Sequence, residues 1–223
     1  VMRLLEILEK DNNPAVFTFG RFNPPTIGHG KLLDKVASIG LPYYVFVSHT
    51  TDNKKNPLDY DTKISFMKRG FGNHTSEIVQ NEGIRTIIHV MQYLEQRGHN
   101  AVTMVAGSDR VKSFGDLLQK YNGKEYNFDE IKVISAGDRD PDSDGATGAS
   151  ASKAREAAAK GDTGAFAQIV KGDSGLVDDM YNAVRLGMGV KETAGVGIIT
   201  KQNTTKDVKP GTLKKMMKKL RLA

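Results

Sequence analysis

The stretch GRFNPPTIGHGKLL, from Gly20 to Leu33, joins an apolar run to a segment with helical periodicity. The apolar run, residues 15–19, is short and rich in Val and Phe, as buried strands are. Two prolines stiffen the turn that follows. A helix that starts at the carboxyl end of a parallel strand directs backbone N–H groups and a partial positive charge into the crevice there. The stretch therefore predicts a strand, a turn and a helix start that favours phosphate.

Similar runs recur along the chain. Strand-like runs occupy residues 43–47, 101–106 and 131–135, with a weaker candidate at 77–80. Helical periodicity covers residues 28–38, 60–70, 83–97, 110–120, 150–160, 163–171 and 175–186. Strands separated by helices are typical of a parallel sheet covered on both faces. We expect an α/β fold: a Rossmann-like, doubly wound parallel sheet of about five strands with a helical C-terminal part.

The composition changes near Gly189, which predicts an α/β domain over residues 1–189 and a basic tail over 190–223. The chain has a net charge of +6, and its excess of basic residues lies in residues 201–223 of this tail, where there are eight Lys or Arg and one acid, Asp207. A helix there would carry one apolar stripe, formed by Leu213, Met216, Met217 and Leu220. Such a tail either packs on its own domain or a second subunit, as in a homo-oligomer, or binds a polyanion, an acidic partner or a membrane surface.

Composition also limits the class of protein. The chain contains no cysteine, which excludes disulfides and thiolate metal sites. No apolar run approaches the roughly 20 residues that a membrane-spanning helix needs. Residues 2–10 alternate charged with apolar side chains, unlike a signal peptide. We expect a soluble, cytoplasmic protein without a membrane span.

The start of the first helix carries the first candidate site. Gly20 and Gly28 allow a ligand to approach the backbone closely. Thr26 offers a hydroxyl and His29 an imidazole about one turn apart, and an imidazole can donate to a phosphate oxygen. A histidine in a first helical turn is also compatible with a purely structural role.

The spacing of the residues around His29 favours a functional role over a purely structural one. The first motif, Gly-x-Phe-x-Pro followed by Thr-x-Gly-His, resembles the (H/T)xGH signature of the nucleotidylyltransferase superfamily; it comprises Gly20, Phe22, Pro24, Thr26, Gly28 and His29. A second motif, residues 149–155, resembles the ISSTxxR signature: Ser150, Ser152 and Arg155 match, whereas Ala149 and Ala151 replace Ile and Ser. Residues 105–109 resemble the Gly-x-Asp turn that lies near the nucleotide in these enzymes. The resemblance covers approximately residues 15–170.

The resemblance implies that an acceptor phosphate attacks the α-phosphorus of a nucleoside triphosphate in line. Pyrophosphate leaves, and Mg²⁺ is bound by the phosphates rather than by the protein. It assigns catalytic roles to Thr26, His29, Lys153 and Arg155. It assigns nucleotide contacts to Gly20, Arg21, Phe22, Asn23, Gly28, Gly107, Asp109, Ser150 and Ser152. On simpler interpretations, Lys153 and Arg155 lie on a solvated helix face, and Asp109 is an N-cap before Arg110.

The acceptor is less well defined. The Arg21-Phe22-Asn23-Pro24 run most resembles nicotinamide mononucleotide adenylyltransferases, which use ATP, although pantetheine-phosphate adenylyltransferases also have Thr at position 26. With no Trp in the chain, Phe114 or Tyr93 would stack on a nicotinamide ring.

Each of two loops has two possible roles, and the protein has two alternative functions. Lys54, Lys55 and residues 56–58 either line an acceptor pocket or form an exposed charged loop, and the Asp-rich residues 138–144 form a metal site or a solvated turn. The alternative functions are a cytidylyltransferase acting on a sugar or alcohol phosphate, and a noncatalytic nucleotide-binding structural protein.

Overall fold

The computed structural model describes residues 12–137 and 150–190, and within these ranges four strands form one parallel sheet. In chain order the strands are β1 (Pro14–Gly20), β2 (Tyr43–Val47), β3 (Ala101–Ala106) and β4 (Glu130–Ser135). Their spatial order is β2-β1-β3-β4. The chain therefore reverses direction across the sheet between β1 and β3, and a crevice opens beyond the carboxyl ends of these two strands.

Seven helices accompany the strands in the described chain. They are α1 (Ile27–Ala37), α2 (Tyr60–Gly70), α3 (Ile87–Gln96), α4 (Val111–Tyr121), α5 (Ala151–Lys160), α6 (Thr163–Ile169) and α7 (Ser174–Gly187). Two short 3₁₀ turns, Gly72–His74 and Ser108–Arg110, complete the set. The predicted Rossmann-like α/β architecture with helices at its C-terminal end is confirmed.

The predicted number of strands was wrong by one. Residues 77–80 do not extend the sheet of the described chain as a fifth strand. Ile78 forms only an isolated parallel bridge with Val45, through bonds from Val45 N to the oxygen of Glu77 and from Val79 N to the oxygen of Val45. Beyond the bridge the backbone turns at Asn81, whose N–H donates to the hydroxyl of Tyr60. A segment this short contributes one pair of ladder bonds.

The predicted start of α3 differs most from the observed one, and the start of α4 overturns one interpretation. Helix α3 begins at Ile87 instead of residue 83, because the Thr86 hydroxyl caps it by accepting from His89 N at 3.3 Å. Helix α4 begins at Val111, after the 3₁₀ turn, and no side chain caps either element. Asp109 lies within that turn, so its interpretation as an N-cap was wrong.

Strand alternation gives each face of the sheet its own core. Phe17 and Met104 are buried in one cluster with residues of α3 and α4, and Val16 and Val105 are buried on the other face with Val36 of α1. Helices α5, α6 and α7 share a separate cluster that includes Ala154, Phe166 and Met180, together with Leu58 and Phe66. This packing fixes the starts of α1 and α5, which carry the first and second motifs.

Several sequence predictions lie outside the described residues. These are the N-terminal segment 2–10, the Asp-rich residues 138–144, Ala149, and the tail from residue 191 onward. None of the helices in the described part of the chain is both long and apolar enough to cross a membrane.

Candidate active site

A cavity of about 240 Å³ opens at the carboxyl ends of β1 and β3. Of the predicted site residues, it brings together Gly20, Arg21, Phe22, Asn23, Thr26, Gly28, His29, Gly107, Asp109, Ser150, Ser152 and Arg155. Lys153 is not among the lining residues, and its side chain is exposed. The two motifs and the Gly-x-Asp turn therefore meet at one cavity, without Lys153.

The start of α1 orients the His29 ring. Thr26 is the N-cap of the helix, and its hydroxyl accepts from His29 N at 3.4 Å. In return, Thr26 N donates to Nδ1 of His29 at 3.0 Å, which completes a capping box. Because Nδ1 accepts this bond, the neutral imidazole carries its proton on Nε2. The His29 ring thus offers an Nε2–H donor at the cavity.

The turn before α1 is shaped around Phe22. This side chain is buried, its ring centroid lies 4.9 Å from that of His29, and its φ of 46° is one that non-glycine residues rarely adopt. A Cβ atom at Gly20 would lie 2.9 Å from the Phe22 ring. Gly20 therefore makes room for this ring, a different role from the close ligand approach that the sequence suggested. Phe22 in turn supports His29.

Asn23 attaches a second loop to this turn. Its buried amide donates from Nδ2 to the oxygen of Leu58 at 2.9 Å and accepts at Oδ1 from Leu58 N at 3.0 Å. This clamp holds the loop after β2 at the cavity, where Lys55 and Asn56 line the wall. Lys54 is exposed and is not among the lining residues. The acceptor-pocket interpretation of this loop thus fits Lys55 and Asn56 but does not extend to Lys54.

A carboxylate organises the same loop internally. Asp52 accepts from the backbone N–H groups of Lys55 at 2.6 Å and Lys54 at 2.9 Å, and from the amide of Asn56. These bonds hold the pKa of Asp52 well below its usual range. Its carboxylate stays ionised across the neutral range and keeps the turn closed.

The start of α5 brings Arg155 against the first motif. Ser150 caps the helix, accepting from Lys153 N at 3.1 Å. Arg155 donates from Nη1 to the backbone oxygen of Asn23 at 2.6 Å, and from Nη2 to the hydroxyl of Ser152 at 3.0 Å. Burial, and then the nearby Arg21, lower the pKa of Arg155. The guanidinium connects the second motif to the first while lining the cavity.

The lining is strongly cationic. Arg21, Lys55, Arg110 and Arg155 contribute positive charge, and Asp109 is the one carboxylate among the lining residues that the structure describes. Arg110 was not predicted as a site residue; the available signal was its position directly after the Gly-x-Asp turn. Such a lining favours a polyanionic ligand.

The two candidate stacking residues lie in different places. Phe114, in α4, lines the cavity. Tyr93 does not, because its ring packs 5.6 Å from Phe46 and the Arg97 guanidinium lies 4.6 Å over it. The prediction of Tyr93 as a stacking partner was therefore wrong. Within residues 12–137 and 150–190, no three His, Asp or Glu side chains are grouped to hold a metal ion.

Comparison with known proteins identifies the family. A family model described as cytidylyltransferase-like matches residues 17–157, more than half of the chain. No curated protein matches the chain. A crystal structure assigned as a nicotinate-nucleotide adenylyltransferase from Vibrio parahaemolyticus matches with 15% identity and a TM-score of 0.48, covering 75% of this chain and 98% of that one. The chain belongs to the cytidylyltransferase-like family, and it is a nucleotidyltransferase.

Proposed function

We propose that this nucleotidyltransferase moves AMP from ATP onto nicotinamide mononucleotide, forming NAD and releasing pyrophosphate. The bond from Arg155 to Asn23 carries the proposal, because it joins both motifs at one cationic cavity. The Arg21-Phe22-Asn23-Pro24 run supports the choice of acceptor, since it resembles that of nicotinamide mononucleotide adenylyltransferases.

In the proposed reaction an oxygen of the acceptor phosphate attacks the α-phosphorus of ATP. A new P–O bond forms on one side, and the bond to the oxygen bridging the α- and β-phosphorus atoms breaks on the other. The acceptor phosphate is already ionised near neutral pH, so no general base is needed. Catalysis then consists of holding the reactants in line and neutralising charge in the transition state.

The residues of the cavity supply that neutralisation. The Nε2–H group of His29 donates to a phosphate oxygen at the start of α1. Arg155 and the hydroxyls of Ser150 and Ser152 act at the start of α5, where the helix dipole adds to their effect. Bound to the triphosphate, Mg²⁺ would add positive charge. Asp109, the one carboxylate among the lining residues that the structure describes, fits an ion whose ligands are mainly phosphate oxygens.

The topology suggests where each substrate lies. Gly107 and Asp109 follow β3, and Phe114 is close by in α4, so we assign the nucleoside of ATP to this side. This assignment places Phe114 next to ATP instead of next to the nicotinamide ring expected from the sequence. Lys55 and Asn56 follow β2, which lies on the opposite side of β1. We assign the acceptor phosphate to that wall, next to the charge of Lys55.

The family description favours one second candidate. Cytidylyltransferase-like relatives give reason to consider transfer of CMP from CTP onto a sugar or alcohol phosphate. The in-line chemistry and the phosphate contacts would be the same, and only the base and the acceptor would differ.

Pyrophosphate release distinguishes the two candidates. The enzyme is assayed with ATP or CTP, each paired with nicotinamide mononucleotide, nicotinate mononucleotide or a sugar phosphate, and products are identified by mass. We expect release with ATP and nicotinamide mononucleotide, loss of release with a chelator, and recovery with added Mg²⁺. Faster release with CTP and a sugar phosphate would replace the proposal with the second candidate. The absence of release in every pairing would contradict both.

A further inference from the structure

A fully buried lysine packs against the segment that follows β2. Lys63, in α2, has no exposed surface. Its Nζ donates to the backbone oxygen of Ser48 at 2.5 Å and to that of Thr50 at 3.4 Å. Burying an ammonium group is unfavourable unless strong polar contacts compensate, and an apolar side chain would fill such a space without that penalty. The contacts that Lys63 makes therefore point to a role in the segment it holds.

That segment leads directly to the cavity. Ser48 N donates to the oxygen of Gly20, the first residue of the first motif, at 2.9 Å. The chain then forms the turn that is closed by the Asp52 carboxylate, and Lys55 and Asn56 of this turn line the cavity. Asn23 clamps the far end of the segment at Leu58. The segment that forms this wall of the cavity is thus fixed at two points. Lys63 holds its start at Ser48, and Asn23 holds its end at Leu58.

We propose that Lys63 is a positioning residue for the acceptor: by holding the oxygens of Ser48 and Thr50, its ammonium sets where Lys55 and Asn56 stand at the cavity. The assignment to the acceptor rests on the proposed function, which places the acceptor phosphate against Lys55. Lys63 itself touches no substrate. The nucleoside side of the cavity, built from residues after β3, lies across β1, and we expect a change at Lys63 to leave it unaltered.

The charge of this residue changes within an accessible pH range. Burial lowers the pKa of Lys63 to about 8, opposed by the Asp59 carboxylate at the start of α2. Lys63 also acts on His49, because its charge and that of Arg85 add to burial in lowering the His49 pKa. The Tyr60 ring stacks on His49, and burial raises the pKa of Tyr60. His49 therefore titrates below this range and Tyr60 above it. Loss of the proton from Lys63 turns charge-assisted bonds into neutral ones, which are roughly half as strong.

The effect on folding stability has the opposite sign. Between pH 8 and the ordinary lysine pKa of 10.5, the folded chain binds fewer protons at Lys63 than the unfolded chain does. The contribution of this group to the free energy of unfolding therefore rises with pH over that interval. A loss of acceptor binding above pH 8 that came from Lys63 would not be accompanied by unfolding from the same group.

Lys63→Met and Lys63→Arg test the proposal, with Lys68→Met as the matched control, because Lys68 lies on the same helix and binds the side chain of Gln80 instead. Hydrogen exchange is measured over residues 48–56, corrected for the intrinsic effect of pH. We expect exchange in Lys63→Met at pH 7 to be about tenfold faster there and unchanged in β1, the scale of losing one charge-assisted bond. Wild-type protein should show a smaller change in the same direction between pH 7 and pH 9, because its bonds are weakened but not lost, and Lys63→Arg should show none.

Steady-state kinetics distinguish positioning of the acceptor from a general loss of stability. With an acceptor that wild-type protein uses, Lys63→Met should raise the acceptor KM about tenfold and leave the ATP KM within about twofold. Lys63→Arg should restore the acceptor KM and remove its rise above pH 8. Unchanged exchange over residues 48–56 would overturn the proposal, as would equal rises of both KM values with a lower melting temperature. If wild-type protein used no acceptor, the proposed function would fail, and the exchange measurement would still decide the role of Lys63.

Discussion

Nη1 of Arg155 donates to the backbone oxygen of Asn23 at 2.6 Å, although 132 positions separate the two residues in the chain. The bond joins the start of α5 to the turn before α1. Asn23 itself clamps Leu58, so the same turn also holds the loop that carries Lys55. Three separate parts of the chain thus share one hydrogen-bonded junction at the cavity.

Replacing Arg155 with Lys should lower turnover at least tenfold, because an ammonium cannot reproduce the two directed contacts of the guanidinium to Asn23 and Ser152. Steady-state kinetics measure the loss. Arg185→Lys is the matched control, since Arg185 also donates to a backbone oxygen of α5, that of Ala158, at 2.6 Å but does not line the cavity. Equal turnover in the two variants would show that the Arg155 junction has no catalytic consequence.

His29→Asn should lower turnover by about 10²-fold, the scale of losing one preorganised donor to transition-state charge. The amide oxygen of Asn can still accept from Thr26 N, so the cap is largely kept. His89→Asn is the control, because His89 occupies the same helix position behind the Thr86 cap, and Arg85 N donates to its Nδ1 at 3.3 Å. Pyrophosphate release is compared between variants whose melting temperatures match that of the wild-type protein. Normal turnover in folded His29→Asn would remove His29 from the mechanism.

Asn23→Ala should destabilise the fold by about 2 kcal/mol or more, because it leaves the buried N–H and C=O of Leu58 without partners. Asn122 makes the same pair of bonds with Phe128, at 2.9 Å each, away from the cavity. Asn122→Ala should therefore be destabilising as well. Only Asn23→Ala should also raise the acceptor KM, which kinetics below the unfolding transition will test. A similar rise in both variants would refute a specific role of the clamp.

Gly20→Ala should be destabilising by about 1–3 kcal/mol, because the new methyl group would force the buried Phe22 ring out of place. Gly115→Ala provides a comparison of opposite sign. A Cβ atom there has nothing within 4 Å, and the residue lies inside α4, so the change should stabilise the protein by about 0.5–1 kcal/mol. Denaturant unfolding measures both. A neutral Gly20→Ala would mean that the turn can accommodate a side chain.

Some errors of prediction had a signal that was available. A helix that follows a parallel strand starts at the carboxyl edge of the sheet and ends at the amino edge. Phe114 lies in the first turn of α4 and lines the cavity, whereas Tyr93 lies in the last half of α3 and packs on Tyr44 of β2. Position along the helix would have separated the two rings. The same reasoning applies to Arg110, which directly follows a strand end and its Gly-x-Asp turn.

Features that depend on neighbouring residues could be predicted from the amino-acid sequence. Hydrophobic runs of strand length located all four strands of the described sheet, and helical periodicity located the starts of the two helices that carry the motifs to within one residue. These signals are local, because caps, turns and periodicity are set within a few positions of one another. The alternation of strands with helices was enough to predict the parallel sheet and the edge at which the motifs meet.

Which side chains reach the cavity depends on packing between elements that are distant in the sequence. Lys153 and Arg155 lie on the same helix, yet Arg155 lines the cavity and Lys153 does not, because the rotation of α5 is set by packing of residues such as Ala154 against α6 and α7. The clamp on Leu58 and the buried contacts of Lys63 likewise join parts of the chain with no local sequence signature. Such contacts form between side chains and backbone groups far apart in sequence, so their partners are set by how the helices and loops pack on the sheet.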